Sequence, residues 1–298
     1  MPEEVGALSK VRIIDLTDER AIYGAKLLAD LGADVVRPEP PEGDPLRRRG
    51  PFCNDDPDQH SLWHAFFASN RRFISLDLET QTGLDQLTGL IANAEIVLVS
   101  EGAFGTSDLD LDVAMRANPA LVWVECSSFG SEGPWKDYLA PDLVAGALGG
   151  SVSTTGDVDT PPLKAFGDLN FVVSGCYAAI AALSALYHAK ETGQGQRVDV
   201  PVHQCIASCL EHVFMWYWYS DLLGPARGRA LERRGSLHWS NMYVVMQAVG
   251  GTIMVTPTPD IDAQLTWLIE ADEFEDLFEP EFQDPANQAQ FMARLMEV

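Results

Sequence analysis

Short apolar runs alternate with segments of helical periodicity from the start of the chain. Val11–Leu16 has the length and composition of a buried strand, and Ala21–Leu31 repeats apolar residues at helical spacing. Gly32 predicts the end of that helix, and Ala33–Arg37 is a second apolar run. The Pro- and Gly-rich segment Pro38–Pro51 is typical of a loop. The opening therefore predicts a strand–helix–strand unit.

The same alternation continues as far as residue 223. Further predicted strands are Phe73–Leu78, Ile96–Val99, Leu121–Ser127 and Gln196–Val200. Further predicted helices are Thr82–Asn93 (capped by Thr80 or Thr82), Leu109–Asn118, Phe171–Lys190 and Pro201–Leu223. Apolar strands separated by helices indicate a parallel sheet that is buried on both faces. We predict an α/β fold in which residues 1–223 form a large domain with a Rossmann-like sheet and bind ligands at the carboxyl ends of the strands.

A second, smaller domain is predicted beyond this sheet. Residues 224–235 are rich in Gly and Arg and have the composition of a linker. Predicted strands near Asn241–Ala248 and Thr252–Thr256, followed by a helix near Ile261–Ala271, make residues 236–298 a partial α+β domain. The aromatic run Phe214–Tyr219 before the linker fits either core or dimer packing or the wall of a bulky ligand pocket.

The negative charge of the chain makes some classes of ligand unfavourable. With 20 Lys and Arg against 44 Asp and Glu, the formal net charge is −24, which repels nucleic acid and anionic lipid. The basic residues nevertheless cluster, at Arg47–Arg49, Arg71–Arg72 and Arg227–Arg234. These clusters are either solvated loops that offset nearby acids or, where the fold brings them together, an anion-binding site.

Cysteine usage and hydropathy predict a cytoplasmic protein. The five cysteines are odd in number and form no CxxC pair, as in a reduced chain. The longest apolar stretch, Val172–Leu186, is interrupted by small and polar residues and is shorter than a membrane span. No N-terminal targeting signal is recognised, because Met1–Ala7 is acidic.

Several common catalytic motifs are missing from the sequence. The turn after the first strand, Thr17–Ala21, has no GxGxxG, and the chain has neither a P-loop nor a GxSxG elbow. His60 and His64 have the spacing of HExxH but lack its glutamate, so no metal site is predicted. The most promising local pattern is Gly167-Asp168 directly before a long helix. There, Asp168 is either a helix N-cap or a functional carboxylate.

An ordered set of segments resembles the family III coenzyme A-transferases, the group of formyl-CoA transferase, carnitine CoA-transferase and α-methylacyl-CoA racemase. The matching segments, over about the first two-thirds of the chain, are Ile14–Thr17, Leu27–Val36, Gly43–Pro45 with Arg47, Asn70–Leu78, Phe129-Gly130, Gly133-Pro134, Asp142, Gly149-Gly150, Gly167-Asp168 and Lys190–Gln196. The resemblance implies an acyl-CoA:carboxylate CoA-transferase in which Asp168 is the nucleophile and forms an aspartyl anhydride and then an aspartyl-CoA thioester.

The resemblance also implies a site for coenzyme A, which is a substrate here and not a permanently bound cofactor. The implied contacts are Arg20, Ala21, Arg47, Arg71, Arg72, Leu76 and Ser100. The arginines among them would bind the phosphates of coenzyme A. The implied partners are an acyl-CoA donor and a carboxylic acid acceptor. The implied assembly is a homodimer, interlocked in the family, or a heteromer with a related subunit.

Three departures from the family pattern shape these expectations. Ser100–Gly105 lacks the arginine that many members carry there, and Pro141 replaces the catalytic histidine of the racemase branch. Family members also continue beyond the position that aligns with Val298. Transfer is therefore expected over racemisation. The alternative is a non-catalytic acyl-CoA-binding subunit of a heteromeric transferase, with racemisation as the weaker possibility.

Overall fold

The centre of the computed structural model is a six-stranded parallel sheet. Its strands are β1 (Arg12–Leu16), β2 (Asp34–Glu39), β3 (Arg72–Ser75), β4 (Ile96–Ser100), β5 (Val122–Ser127) and β6 (Gln196–Pro201). The strand order is β3-β2-β1-β4-β5-β6, and all neighbours are parallel. The order reverses between β1 and β4, which is where such sheets open a crevice at their carboxyl ends. The predicted Rossmann-like α/β fold is confirmed.

The structure describes residues 6–103, 109, 111–156, 159–223, 244–255, 266 and 268–271. The helices assigned there are α1 (Ile22–Asp30), α2 (Leu62–Phe67), α3 (Gln81–Ala92), α4 (Leu111–Ala117), α5 (Asp142–Gly149), α6 (Leu169–Thr192), α7 (Val202–Ser208), α8 (Glu211–Trp218) and α9 (Ser220–Leu223). Thr80 caps α3, where its hydroxyl accepts a hydrogen bond from the Gly83 N–H at 3.2 Å.

Three local predictions differ from the structure. Residues 201–223 form three helices instead of one, because the chain leaves the first compact unit near residue 211. Helix α5 was not predicted, since its small residues lack a clear apolar period. Strand β2 continues through Pro38 and Glu39, which pair with β3. Proline is tolerated there because the pairing with β1 ends at Val36.

Two apolar clusters cover the two faces of the sheet. On one face, Ile13 and Leu98 pack with α1 and α6; on the other, Ile14 and Val97 pack with α3. Every residue of β4 is buried, as expected for a central parallel strand. The core therefore fixes the carboxyl ends of β1 and β4 on a rigid platform.

Helices α1 and α6 approach closely at a pair of glycines. A Cβ on Gly24 would lie 2.5 Å from the Gly175 carbonyl oxygen, so neither position has room for a side chain. Helix α6 is apolar and long enough to cross a membrane by composition alone, but half of its most apolar window is buried against the core. This burial identifies α6 as a core helix, and its contact with α1 sets where its first residue lies.

The chain divides into two compact units: residues 1–152 with 164–211, and residues 153–163 with 212–298. The predicted boundary at residue 223 thus lies within the second unit, and the contribution of 153–163 to that unit was not predicted. The second unit contains an antiparallel hairpin of β7 (Val244–Ala248) and β8 (Gly251–Val255), and Leu268 is buried in a short helical segment. The predicted linker 224–235, with its arginines, lies outside the described residues.

The aromatic run before the linker is partly exposed. Phe214 and Trp218 stack with ring centroids 5.4 Å apart, while Tyr217 and Tyr219 are exposed. Its predicted roles in packing or in a ligand pocket stay predictions.

Candidate active site

Asp168 occupies the N-cap position of α6, but its side chain makes no capping hydrogen bond. Gly167 precedes it with φ +67°, a left-handed conformation that favours glycine. Instead of capping, Asp168 Oδ2 accepts a hydrogen bond from Arg49 Nη2 at 2.5 Å. The Asp168 side chain is 21% exposed, so its carboxylate is reachable from solvent.

Asp142, at the start of α5, caps the N-terminus of α6 in place of Asp168 by accepting hydrogen bonds there. Its Oδ1 accepts a hydrogen bond from the Phe171 N–H at 3.1 Å, and its Oδ2 accepts one from Asn170 Nδ2 at 2.8 Å. Asp142 is buried. The interpretation of Asp168 as a mere cap therefore loses its physical basis, because another carboxylate performs that role.

Lys164 ties the loop before Asp168 to the same carboxylate. Its Nζ lies 3.1 Å from Asp142 Oδ2 and also donates to the carbonyl oxygens of Ala165 and Gly167. Residues 164–168 are thus anchored to the N-terminus of α5. This anchoring fixes the backbone that presents Asp168.

We expect the Asp142→Asn substitution to lower the free energy of unfolding by about 1–3 kcal/mol. The asparagine amide has only one oxygen, so either the Phe171 N–H or Asn170 Nδ2 loses its acceptor. Urea unfolding followed by circular dichroism measures the change. Asp137→Asn is the matched control, because Asp137 is exposed and pairs only with the adjacent Lys136 among the described residues. Equal stability of the two variants would contradict the capping role of Asp142.

Arg49 is the cation beside Asp168, and its own position is well determined. Its guanidinium lies over the Trp63 ring, 4.6 Å from the centroid. The Ser61 hydroxyl donates to the Arg49 carbonyl oxygen and caps α2 by accepting from the His64 N–H. Glu19 Oε1 lies 3.9 Å from Arg49 Nη1. Arg49 therefore links the turn after β1, helix α2 and the start of α6.

The other arginines of the same cluster point elsewhere. Arg47 pairs with Glu39 at 2.8 Å and lies over the Phe73 ring, while Arg48 is exposed. The sequence singled out the cluster but not Arg49, because only the fold decides which of three consecutive arginines faces Asp168.

The turn after β1 brings three of the predicted residues together. Arg20 pairs with Asp18 at 2.5 Å, and the Asp18 N–H donates to the buried Ser100 hydroxyl at 3.1 Å. Ala21 is buried directly after Arg20. The Ser174 hydroxyl of α6 donates to the Arg20 carbonyl oxygen at 2.6 Å, which joins this turn to the helix that begins beside Asp168.

Arg71 belongs to a buried ion network below this turn. Its Nη1 lies 2.6 Å from Asp15 Oδ2, and its Nη2 donates to the carbonyl oxygens of Ile22 and Phe67. Asp15 also pairs with Arg37, which in turn holds Asp44. Because the Arg71 guanidinium is buried and engaged by protein groups, we leave Arg71 out of the candidate CoA site.

Arg72 lies at the other end of the strands. It begins β3 and pairs with Asp34, the first residue of β2, which also holds Arg12. These are the amino ends of the parallel strands, whereas Asp168 lies near the turn at their carboxyl ends. Arg72 is therefore also left out of the candidate site.

A cavity of about 530 Å³ opens beside the carboxyl ends of β2 and β3. Leu76 lines it with other apolar residues, and acidic residues form most of the polar lining: Asp18, Glu19, Glu39, Glu42, Asp44, Asp77 and Glu79. No lysine or arginine is among the lining residues in the described part of the chain. The cavity therefore suits an uncharged group better than a phosphate.

The sequence and the fold of this chain are similar to those of known proteins. The family model of CoA-transferase family III matches residues 8–298. The chain is 34% identical over 82% of its length to subunit BbsE of succinyl-CoA:(R)-benzylsuccinate CoA-transferase from Thauera aromatica, and 36% identical over 67% to formyl-CoA:oxalate CoA-transferase from Streptomyces avermitilis. Succinate–glutarate CoA-transferase from Agrobacterium fabrum is 32% identical over 86% of the chain.

The chain spans 60%, 49% and 64% of the lengths of these three relatives, respectively. Among solved structures, a CAIB/BAIF family protein from Brucella suis superposes with a TM-score of 0.81 at 26% identity, over 99% of this chain and 78% of that one. Rv3272 from Mycobacterium tuberculosis shares the fold, with a TM-score of 0.77 at 20% identity over 98% of this chain and 77% of that one. Taken with the confirmed sheet and the match to almost the whole chain, these findings make this protein a member of CoA-transferase family III.

Proposed function

We propose that this protein is an acyl-CoA:carboxylate CoA-transferase whose nucleophile is Asp168. The observation that carries the proposal is the state of the Asp168 carboxylate: it sits at a helix N-terminus, is released from capping by Asp142, and is partly open to solvent. The family relatives named as CoA-transferases support the same class of reaction.

The chemistry proceeds without any external oxidant or proton source. An Asp168 oxygen attacks the carbonyl carbon of the donor thioester, the C–S bond breaks, and an aspartyl anhydride and CoA thiolate result. The thiolate attacks the Asp168 carbonyl carbon and releases the donor acid as a carboxylate. The acceptor carboxylate then attacks the Asp168 carbonyl carbon, the C–S bond breaks, and a second aspartyl anhydride and CoA thiolate result. The thiolate attacks the acceptor carbonyl carbon and releases the Asp168 carboxylate, which regenerates the enzyme.

The start of α6 supplies electrostatic support for these steps. The N–H groups of Leu169 and Asn170 lie in the first turn of the helix, where an α-helix offers them no backbone acceptor. In our proposal they stabilise the oxyanion that forms at the attacked carbonyl. Asp142 and Lys164 act as positioning residues, because they hold the backbone and not the reacting atoms.

Coenzyme A is proposed to bind across the turn after β1. The proposed contacts at this turn are Arg20, Ala21 and Ser100. The base of coenzyme A is proposed to enter the cavity that Leu76 lines. In this proposal the phosphates lie outside the cavity, because its polar lining is acidic. Arg47, which pairs with Glu39, lies at its margin and stays a candidate contact.

The experiment that tests the function has two parts. Succinyl-CoA, acetyl-CoA and formyl-CoA are screened as donors against oxalate, glutarate, mesaconate and succinate. With an active pair, one turnover with acceptor acid labelled with oxygen-18 in the carboxylate should leave one label in Asp168, because the bridging anhydride oxygen stays with the aspartate. Transfer with an unlabelled Asp168 peptide would contradict the mechanism.

A second candidate is a subunit that needs a related chain for activity. The relative from Thauera aromatica is named a subunit, which favours this candidate. A chain that binds acyl-CoA, forms no thioester alone and gains transfer activity with a related subunit would support it. The homodimer and the cytoplasmic location predicted from the sequence stay predictions.

A further inference from the structure

Arg49 is held in place independently of its contact with Asp168. Trp63 packs against its guanidinium, and Ser61 fixes its backbone. Its side chain is 31% exposed, so it is partly removed from water. The cation therefore stays beside the reacting carboxylate when the chemical state of that carboxylate changes.

The charge balance around Arg49 changes during the proposed reaction. In the resting protein, Asp168 Oδ2 accepts from Arg49 Nη2 at 2.5 Å. Once Asp168 is a thioester it is neutral, and the guanidinium loses that partner. Glu19, 3.9 Å from Nη1, lies beyond hydrogen-bond distance and does not replace it. A partly buried guanidinium that keeps only the more distant Glu19 as an ion-pair partner attracts a new carboxylate.

We propose that Arg49 binds the carboxylate of the free acid while Asp168 carries coenzyme A. This inference rests on the proposed function and assigns one residue to the recognition of the acid substrate. The guanidinium passes from the Asp168 carboxylate to the acceptor carboxylate, and it returns to Asp168 when the cycle closes. The carboxylate of the donor acid likewise pairs with Arg49 before the donor acid leaves the site.

The bound acid is poised for the next bond. One carboxylate oxygen pairs with Arg49, and the other attacks the Asp168 carbonyl carbon as the C–S bond breaks and CoA thiolate leaves. Lys164 is a poor substitute for this role, since its Nζ is engaged by Asp142 and two carbonyl oxygens. The planar fork of arginine also matches a carboxylate better than an ammonium group does.

The test separates the two half-reactions in the Arg49→Gln variant. The enzyme is first mixed with succinyl-CoA alone, and the Asp168–CoA thioester is quantified by mass spectrometry. Succinate is then added, and the decay of the thioester is followed against its concentration. The rate of thioester formation should change little. In the proposal Arg49 pairs with a carboxylate in both the starting state and the transition state of this step, so its removal affects the two states equally. The succinate concentration for half-maximal decay should rise about 10- to 100-fold.

Arg48→Gln is the matched control, since it removes the same charge from the adjacent exposed position. Arg49→Lys should give an intermediate shift, and it serves as the test variant if Arg49→Gln does not fold. The inference would be wrong if the succinate concentration for half-maximal decay were the same in Arg49→Gln and Arg48→Gln. It would also be wrong if Arg49→Gln lowered the yield of thioester by the same factor as the rate of its decay. Absence of the thioester in the wild-type protein would overturn the proposed function and this inference with it.

Discussion

Replacing Asp168 with asparagine should lower kcat for CoA transfer by at least about 10³-fold. An amide is a far weaker nucleophile than a carboxylate and forms no anhydride. The loss should not come from unfolding, because the Asp168 side chain makes no capping hydrogen bond and asparagine is itself a good N-cap. Steady-state transfer with the best donor and acid measures the effect.

Two further variants make this result specific. Asp168→Ala should be equally inactive, which removes any contribution from slow deamidation of the asparagine. Asp137→Asn, an exposed carboxylate in the same unit, should keep wild-type activity. Transfer by Asp168→Ala at more than a few per cent of the wild-type rate would disprove the role of Asp168 as nucleophile.

The sheet was predictable because its signals are local. Each strand is a short apolar run, and the segments between them carry helical periodicity, so β1, β4 and β5 were placed to within a residue or two. The position of Asp168 at the start of α6 was also predictable, since Gly167 and the following helix are adjacent in sequence. The resemblance to the family then supplied its role as a nucleophile.

The neighbours of Asp168 were not predictable, because they come from distant parts of the chain. Arg49 reaches Asp168 across 119 positions, and Asp142 caps α6 across 29 positions. A sequence pattern records neither distance. The same limit explains Arg71, which looked like a phosphate ligand but lies buried against Asp15.

The buried network that holds Arg71 is centred on Arg37. Arg37 Nε donates to Asp44 Oδ2 at 2.8 Å, and its Nη1 donates to Asp15 Oδ2 at 2.9 Å. Its Nη2 donates to the Thr17 carbonyl oxygen at 2.8 Å, at the turn that leads to Arg20. Arg37 therefore joins the turn after β1 to the segment that ends in Arg49.

These contacts change the pKa of both carboxylates. Burial alone would raise the pKa of Asp15, but the charges of Arg37 and Arg71 outweigh it and hold the pKa below its usual range. Burial likewise opposes ionisation of Asp44, but the nearby His64, whose Nε2 lies 3.5 Å away, and the charge and hydrogen bond of Arg37 hold its pKa well below the usual range. Because the folded-state pKa values lie below those of the unfolded chain, this stabilisation is present above about pH 4 and is lost as the pH falls.

The Arg37→Met substitution should lower the free energy of unfolding at pH 7 by about 3–5 kcal/mol, because it leaves two buried carboxylates short of a cation. Asp15 keeps Arg71, whereas Asp44 keeps only His64, whose Nε2 lies 3.5 Å away, among the ion pairs of the described residues. As the pH falls from 5 to about 3, the difference from the wild type should shrink, since protonation removes the charges that Arg37 balances. Urea unfolding at each pH measures both effects.

Arg12→Met is the control for this experiment. Arg12 pairs with Asp34 at 2.9 Å, but its side chain is 46% exposed, so its loss should cost less than about 1 kcal/mol at any pH. A loss for Arg37→Met no larger than for Arg12→Met, or one that does not change with pH, would contradict the role of the buried network. The expected result means that the stability of the sheet beneath the turn at Arg20 depends on buried ion pairs that Arg37 joins.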